Sequence, residues 1–297
     1  MNIYTPRVML VTGGAGFIGS NYVHCMLAKY PELQIINLDK LTYAGSEKNL
    51  ENVKNNPRHV FIKGDICDRN LIDKLLREYH IDTIVNFAAE SHVDRSISGP
   101  EPFIQTNIIG AFTLLESARM YWLVEKKLTE NQCRFHHVST DEVYGSLTVD
   151  DVPFTEKSPY LPNSPYSASK ASSDHLVRAY FHTYKLPVIT TNCSNNYGPY
   201  QHAEKFIPTI INACLKQVPI PIYNDGSNIR DWLYVTDHCE ALDVAVRKGI
   251  PGETYNIGGH NEWSNLDVVK CIADIMDQRF PENAPHSRLM KFVKDRP

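Results

Sequence analysis

The residues best suited to acid–base chemistry are two adjacent carboxylates, Asp141 and Glu142, which closely follow an apolar run. That run, residues 134–139, has the pattern of a buried strand. Ligands of an open α/β sheet bind beyond the carboxyl ends of its strands, so Thr140, Asp141 and Glu142 are predicted to face a ligand. Two carboxyl groups in a partly dry cleft separate in protonation, which would leave one acid and one base. The alternative is a pair of surface acids.

A tyrosine and a lysine four residues apart form a second candidate group. Tyr166 and Lys170 follow an extended loop, residues 162–165, and on a helix their spacing places them on one face. A chain with 16 tyrosines is expected to contain such a pair by chance, so its position after the fifth predicted strand carries the inference. A neighbouring ammonium and an oxidised nicotinamide are both predicted to lower the pKa of Tyr166 from ~10. The phenolate could then accept the proton of a sugar hydroxyl.

A glycine-rich loop near the N-terminus joins a short apolar strand to an amphipathic helix. Gly13, Gly16 and Gly19 have G-x-x-G-x-x-G spacing, a variant of the dinucleotide-binding fingerprint, and the helix N-terminus offers N–H groups to a pyrophosphate. Asp39 ends the second strand, where an aspartate accepts hydrogen bonds from a ribose 2′-hydroxyl and repels a 2′-phosphate. NAD is therefore predicted over NADP, although Lys40 weakens this preference. The alternative is an ordinary turn with a loop-capping aspartate.

Strand-like runs alternate with helical stretches over most of the chain. Helices are predicted at residues 71–79 and 105–121, and strands at residues 7–12, 34–38, 60–62, 83–87, 134–139, 187–191 and 253–257. This alternation predicts an α/β fold with a doubly wound, parallel, Rossmann-type sheet. Asn, Pro and Gly clusters after residue 191 indicate a smaller, discontinuous C-terminal substrate lobe. The predicted NAD-binding domain is 1–191 plus about 231–258, and the substrate lobe is about 192–230 plus 259–297.

Composition argues against several functional classes. With 30 basic and 34 acidic residues, the net charge of -4 offers no general attraction to nucleic acid. The seven cysteines are odd in number and lack a zinc-binding spacing, so no metal site is predicted and the cytoplasm is the expected location. No apolar run approaches ~20 residues, and no signal peptide precedes the first strand, so we expect a soluble protein without a membrane segment.

Several motifs together resemble one known family. They are GGAGFIG, LDKLTYAG, GDICD, AAESHVDRS, STDEVYG, PYSASKASSDH, TNCSNNYGPY, IRDWLYV and YNIGGHNE. On these motifs, which span nearly the whole chain, the sequence is similar to the extended short-chain dehydrogenase/reductases and, within them, to the dTDP-glucose 4,6-dehydratases. The Asp-Glu pair after the threonine is the specific part, because sister sugar-nucleotide epimerases usually lack it.

The resemblance implies a lyase that keeps NAD bound and converts dTDP-glucose into dTDP-4-keto-6-deoxyglucose and water. Tyr166, beside Lys170, would take the proton of the 4-hydroxyl as hydride passes from C4 to NAD, and Thr140 would bond the reacting oxygen. Glu142 would remove the C5 proton while Asp141 protonates the departing 6-hydroxyl, and hydride would return to C6. The resemblance also implies a homodimer, formed through helices near residues 105–121 and 166–184.

Binding residues carry over from the resemblance one position at a time. Besides Tyr166 and Lys170, the cofactor residues are Gly13, Gly16, Phe17, Ile18, Gly19, Asp39, Lys40, Leu41, Thr42, Asp65, Ile66, Phe87, Ala88, Ala89, Ser91, Thr106 and Asn196. The substrate residues are Ser91, Thr140, Asn195, Lys205, Phe206, Pro221, Ile222, Tyr223, Arg230, Asn265, Asp295 and Arg296. Lys205 and Arg230 are expected to contact the pyrophosphate, or else to form a solvated surface pair.

The sequence leaves several other functions open. The chain stops at Pro297, where the family usually continues with a Gly-His-Asp-Arg-Arg-Tyr-like segment, so we expect retained NAD binding with weakened substrate affinity. A 4-epimerase or simple dehydrogenase would use the same loop and tyrosine without an acid–base pair, and non-catalytic NAD binding would need neither. A 4,6-dehydratase for another nucleotide-glucose is also conceivable, because one thymine methyl contributes only about 1 kcal/mol of apolar contact.

Overall fold

The structure is a computed structural model that describes residues 3–148 and 150–294. The chain divides into two compact units, Met1–Cys193 with Thr236–Ile257 and Ser194–Val235 with Gly258–Pro297. The prediction placed residues 231–235 in the first unit, but the structure assigns them to the second, because the strand Ile229–Tyr234 pairs there with Asn195–Tyr197 and Glu262–Ser264. The functional roles of the two units stay predictions.

Twelve strands are present among the described residues, and each strand predicted from the sequence overlaps one of them. They are β1 Val8–Thr12, β2 Gln34–Asp39, β3 His59–Lys63, β4 Thr83–Asn86, β5 Arg134–Thr140, β6 Val188–Cys193, β7 Asn195–Tyr197, β8 Ile220–Tyr223, β9 Ile229–Tyr234, β10 Thr254–Ile257, β11 Glu262–Ser264 and β12 Met290–Val293. The α-helices are α1 Phe17–Lys29, α2 Arg69–Glu78, α3 Val93–Ser98, α4 Glu101–Phe103, α5 Ala111–Ala118, α6 Pro165–Tyr184, α7 Phe206–Lys216, α8 Val235–Lys248 and α9 Asn265–Arg279.

The first unit is built on a seven-stranded sheet in the order β10-β6-β5-β4-β1-β2-β3. Each pair of neighbouring strands in it is parallel. The order reverses between β1 and β4, and in such sheets a ligand binds beyond the carboxyl ends of the strands at this point. The predicted doubly wound, Rossmann-type α/β fold is therefore confirmed.

Helices cover the sheet, so its central strands are apolar along most of their length. Leu10 of β1, Ile36 of β2, Ile84 of β4 and Phe135 of β5 are fully buried in one cluster, which includes side chains of α2, α5 and α6. A parallel strand with both faces covered has no solvent side that polar residues could occupy. Polar residues are therefore expected at the ends of these strands, where the apolar runs stop.

The helix predicted at residues 105–121 is less regular than expected. The helical segment is composed of α4, a π-helical stretch Ile104–Gly110, α5, and a second π-helical stretch Arg119–Glu125. A π turn rotates the following side chains relative to a regular helix, and such turns are frequent at functional sites. Here the first π-helical stretch contains Asn107, whose contacts are described below.

The second unit contains two small sheets. One has the order β11-β9-β7, and the other pairs β12 with β8. Its apolar core comes mainly from one face each of α7 and α9 and from β8, and it includes Ile210, Ile222, Val269 and Met276. These short strands and helices support the residues predicted to bind the substrate.

Candidate active site

The two adjacent carboxylates lie directly beyond the end of β5. The strand ends at Thr140, and Asp141–Tyr144 forms a short 3-10 helix whose N-cap is Thr140. The Thr140 hydroxyl accepts a hydrogen bond from the Glu142 N–H at 3.3 Å, and it lies 3.3 Å from Asp141 Oδ1, to which it donates. A cap of this kind turns the chain sharply, so that both carboxylates emerge at the sheet edge and remain partly exposed.

Tyr166 and Lys170 lie on α6, whose first turn is fixed by its N-cap. Ser164 accepts a hydrogen bond from the Ser167 N–H, and Pro165 occupies the first helical position. The phenol of Tyr166 is hydrogen-bonded to Thr140 and lies close enough to Glu142 for the two charges to interact. Tertiary structure therefore brings the strand-end group and the helical pair together, as the sequence predicted.

The pKa of Tyr166 moves in the direction opposite to the prediction. Burial and the negative charge of Glu142 raise this pKa well above its usual value. Burial lowers the pKa of Lys170, whose Nζ donates a hydrogen bond to the Val138 carbonyl at 2.9 Å. The raised pKa of Tyr166 is that of the chain alone, in which a buried phenol next to a carboxylate favours the neutral form. The predicted lowering, which relied on Lys170 together with an oxidised nicotinamide, stays a prediction.

A buried asparagine that sequence reasoning missed supports the Tyr166 helix. The Asn107 carboxamide accepts a hydrogen bond from the Glu90 N–H at 2.9 Å and donates to the Glu90 carbonyl at 3.0 Å and to Ser169 Oγ at 2.8 Å. Ser169 Oγ in turn donates to the Tyr166 carbonyl at 2.6 Å. Asn107 thus connects the loop after β4 to the turn that holds the tyrosine. The sequence gives no signal for it, because the π-helical turn is not encoded by a simple periodicity.

The glycine loop is packed so tightly against neighbouring backbone that it leaves no room for side chains. Gly13 has φ +70°, and a Cβ there would lie 2.7 Å from the Ala88 backbone nitrogen. A Cβ on Gly19 would lie 2.3 Å from the Gly13 carbonyl oxygen. Gly16 is the N-cap of α1 and provides no side-chain cap, so the first N–H groups of the helix are available to an anion. The loop therefore has the geometry of a pyrophosphate cradle.

Asp39 ends β2 in the position expected for a ribose carboxylate. Its two oxygens accept hydrogen bonds from the Ala15 N–H at 2.9 Å and the Leu41 N–H at 2.7 Å, while burial raises its pKa. The neighbouring Lys40 forms an ion pair with Asp65 at 2.7 Å. The cation next to Asp39 is thus already paired with a carboxylate, which favours NAD further.

The other predicted cofactor residues of the first unit lie just after the carboxyl ends of strands in the seven-stranded sheet or in the helical segments that follow these strands. Phe17 and Ile18 open α1, Thr42 follows β2, Ile66 follows β3, Phe87, Ala88, Ala89 and Ser91 follow β4, and Thr106 lies in the first π-helical stretch. These positions are those at which a dinucleotide lies across the switch point of such a sheet.

The second unit contains most of the predicted substrate residues. They are Asn195 and the predicted cofactor residue Asn196 in β7, Lys205 and Phe206 at the start of α7, Pro221, Ile222 and Tyr223 in β8, Arg230 in β9 and Asn265 at the start of α9. Ile222 is an exception to the prediction for side chains, because its side chain is buried in the core of this unit and is not available to a ligand. Asp295 and Arg296 lie outside the described residues.

Residues 3–148 and 150–294 contain no group of three or more His, Cys, Asp or Glu side chains arranged to hold a metal ion. None of the helices described here combines the length and the apolar character that a membrane crossing requires.

Comparison with known proteins gives close matches over almost the whole chain. The model of the GDP-mannose 4,6 dehydratase family matches residues 10–297. A dTDP-glucose 4,6-dehydratase from Neisseria meningitidis is 54% identical over 295 residues, which cover 98% of this chain and 83% of the relative.

Two solved structures show the same similarity in three dimensions. A dTDP-glucose 4,6-dehydratase from Bacillus anthracis in complex with NAD has a TM-score of 0.85 and 47% identity, covering 98% of this chain and 85% of its own. The dTDP-glucose 4,6-dehydratase DesIV from Streptomyces venezuelae, solved with NAD bound, has a TM-score of 0.87 and 45% identity, covering 97% and 85%.

Proposed function

Because this chain belongs to the GDP-mannose 4,6 dehydratase family, we propose that it is a lyase that converts dTDP-glucose into dTDP-4-keto-6-deoxyglucose and water. The observation that carries the proposal is the placement of Asp141 and Glu142 at the end of β5, next to the buried Tyr166. Oxidation alone needs one acid–base group, whereas elimination of water needs an additional base and acid. The relatives named above are dehydratases, which favours this function over a 4-epimerase.

The cofactor is NAD. A side chain at Gly13 or Gly19 would collide with neighbouring backbone, so the tight loop that exposes the N–H groups of α1 requires glycine there, and Asp39 stands where a ribose hydroxyl is recognised. When bound, NAD supplies the reversible acceptor of hydride for oxidation at C4 and reduction at C6. The chain itself binds and orients this group through the α1 N-terminus and the strand-end loops.

Side chains of the protein carry out the proton transfers of the proposed reaction. Tyr166 accepts the proton of the sugar 4-hydroxyl, and the resulting ketone makes the C5 hydrogen acidic. Glu142 then removes the C5 proton, and Asp141 protonates the 6-hydroxyl as it leaves. Since burial and Glu142 favour the neutral phenol, deprotonation of Tyr166 needs positive charge nearby, and we propose that Lys170 and the oxidised nicotinamide of bound NAD would supply it.

Residues of the second unit are proposed to bind the nucleotide part of the substrate. Lys205 and Arg230 provide positive charge suited to a pyrophosphate, and Phe206 is already stacked on Trp232 with an interplanar angle of 17°. Asn195 and Asn265 provide amide groups for hydrogen bonds to the sugar or the base.

Homodimerisation and a cytoplasmic location complete the proposal. Ile104, Ile109 and Phe112 are large apolar side chains that are exposed on the helical segment predicted to form the dimer interface. All seven cysteines are free, which suits a reducing compartment.

Incubation with dTDP-glucose in deuterated water tests the function directly. A dehydratase places solvent deuterium at C5 and transfers the C4 hydrogen to C6, which NMR and mass spectrometry of the product detect. UDP-glucose serves as the matched control for the nucleotide.

The double variant Asp141→Asn/Glu142→Gln separates the alternatives. We expect it to retain oxidation at C4 but to lose dehydration, because only the elimination needs the second acid and base. An epimerase would keep its turnover in this variant, and a non-catalytic NAD-binding protein would form no 4-keto sugar even with both carboxylates present.

A further inference from the structure

We infer that Ser167 is a positioning residue for Glu142, which it holds in the orientation needed to remove the C5 proton. The inference rests on the proposed function, in which Glu142 is the base of the elimination. Two serines, Ser167 and Ser169, lie between Tyr166 and Lys170, and their contacts distinguish them. Ser169 donates to the Tyr166 carbonyl, whereas Ser167 donates to the Glu142 carboxylate.

A directed chain of two hydroxyl groups ends at this carboxylate. Ser167 Oγ donates to Glu142 Oε2 at 3.1 Å, and it lies 2.8 Å from Ser164 Oγ. Because the proton of Ser167 is used on Glu142, the hydroxyl of Ser164 must donate to Ser167. Hydrogen bonds arranged head to tail in this way polarise and strengthen one another.

Both serines are held in place by the start of α6. Ser164 is the N-cap of the helix and accepts a hydrogen bond from the Ser167 N–H at 3.1 Å. The Ser167 side chain is only 3% exposed, so it has little freedom to rotate or to exchange its partner for water.

The geometry suits a carboxylate that must act as a base. The bond from Ser167 uses Oε2, while Oε1 of Glu142 makes no hydrogen bond to any of residues 3–148 or 150–294. One oxygen is thereby anchored and the other remains for the proton. Adjacent residues on one helical turn then serve consecutive steps, with Tyr166 acting on the 4-hydroxyl and Ser167 acting through Glu142 on C5.

The test is a single-turnover experiment on Ser167→Ala with NAD-loaded protein and dTDP-glucose. Loss of a hydrogen bond to a charged group is expected to slow the elimination by about tenfold to a hundredfold. The rate of C4 oxidation, followed by the absorbance of reduced nicotinamide, is expected to stay within about twofold of wild type, since the tyrosine contacts are intact. Reduced nicotinamide should therefore persist longer in the variant.

Two further readouts distinguish positioning from general damage. Substrate deuterated at C5 is expected to give a larger kinetic isotope effect with Ser167→Ala than with wild type, because removal of the C5 proton becomes rate-limiting. The pH profile of the elimination rate is expected to differ from that of wild type, whereas a loss of stability alone would leave the profile of the folded enzyme unchanged.

Matched variants complete the design. Ser172→Ala removes a hydroxyl from the same helix that donates only to the Ala168 carbonyl, and it should behave as wild type. Ser167→Thr keeps the hydroxyl and should restore most of the elimination rate. Ser164→Ala loses the helix cap, so we expect a lower urea midpoint but a smaller effect on elimination than Ser167→Ala.

The inference is overturned if Ser167→Ala leaves the elimination rate, isotope effect and pH profile unchanged. It is equally overturned if oxidation at C4 slows as much as elimination, because Ser167 would then act through the helix as a whole. Failure of the proposed function would look different, since the wild-type protein itself would form no 4-keto-6-deoxy product.

Discussion

The amino ends and the carboxyl ends of the strands in the seven-stranded sheet, called here the amino edge and the carboxyl edge, use polar residues in opposite ways. At the amino edge, the Asp82 carboxylate accepts hydrogen bonds from the Arg7 N–H and from the Thr83 hydroxyl, the latter at 2.7 Å. Arg134, at the start of β5, donates to the Val246 carbonyl at 3.2 Å and the Gly249 carbonyl at 2.9 Å. At the carboxyl end of the same strand, Glu142 receives a single side-chain bond among the described residues, from Ser167.

This difference means that polar residues at one end of the sheet stabilise the fold, whereas those at the other end are available for the reaction. At the amino edge, main-chain groups and neighbouring side chains bind the carboxylate of Asp82 and two main-chain carbonyls bind Arg134, and both residues are buried away from solvent. At the carboxyl edge, Glu142 is partly exposed and has one side-chain hydrogen-bond partner among the described residues. A reacting group needs exposure and unused hydrogen-bonding capacity, and Glu142 has both.

The comparison predicts its largest effect for Tyr166→Phe. Removing the phenol oxygen should lower turnover about a thousandfold, because Tyr166 is the group proposed to accept the proton of the 4-hydroxyl. Steady-state kinetics with dTDP-glucose measure this loss, and urea unfolding should show little change in stability. The control is Tyr184→Phe on the same helix, which should keep its activity. Substantial turnover in Tyr166→Phe would contradict the assignment of the proton acceptor.

At the amino edge, Arg134→Leu should show the reverse pattern. The substitution leaves the carbonyls of Val246 and Gly249 without a donor and removes the guanidinium that lies 4.9 Å from the Tyr4 ring centroid. We expect the free energy of unfolding to fall by about 3 kcal/mol, with turnover per folded molecule unchanged. Urea denaturation and active-site titration measure the two quantities. A loss of turnover without a loss of stability would break the comparison.

The smallest effect is the pH dependence of the free energy of unfolding. It comes from two buried histidines, one in the middle of β5 and one in α8. Burial lowers the pKa of His136 in β5 and of His238 in α8 to about 3 from 6.5. Below pH 6.5 the unfolded chain binds protons that the folded chain does not, so this contribution to stability is present above pH 6.5 and is lost as the pH falls. Each histidine should contribute a slope of about 1.4 kcal/mol per pH unit.

Urea unfolding between pH 6.5 and pH 5 checks this expectation, with His238→Gln as the variant. Its slope should be smaller than that of wild type by the contribution of one histidine. An unchanged slope would mean that the acid sensitivity comes from carboxylates at the edges instead.

Much of the candidate site followed from local patterns. The glycine spacing predicted the cradle before α1, and the apolar run ending at Thr140 predicted carboxylates at a strand end. Helical spacing placed Tyr166 and Lys170 on one face. Each of these patterns lies within one element or one turn, where the backbone geometry fixes the direction of a side chain. Ile222 shows the limit, since the family resemblance that named it as a substrate residue did not reveal that its side chain faces the core.

What the sequence by itself determined was therefore the doubly wound fold, the cofactor loop and the chemical types of the reacting groups, because these depend on periodicity and spacing along the chain. Only the tertiary structure decided how the groups influence one another. Asn107 meets Glu90 and Ser169 across separations of 17 and 62 residues, and Ser167 meets Glu142 across 25. The raised pKa of Tyr166 likewise comes from burial and a neighbouring charge, which exist only once the chain has folded.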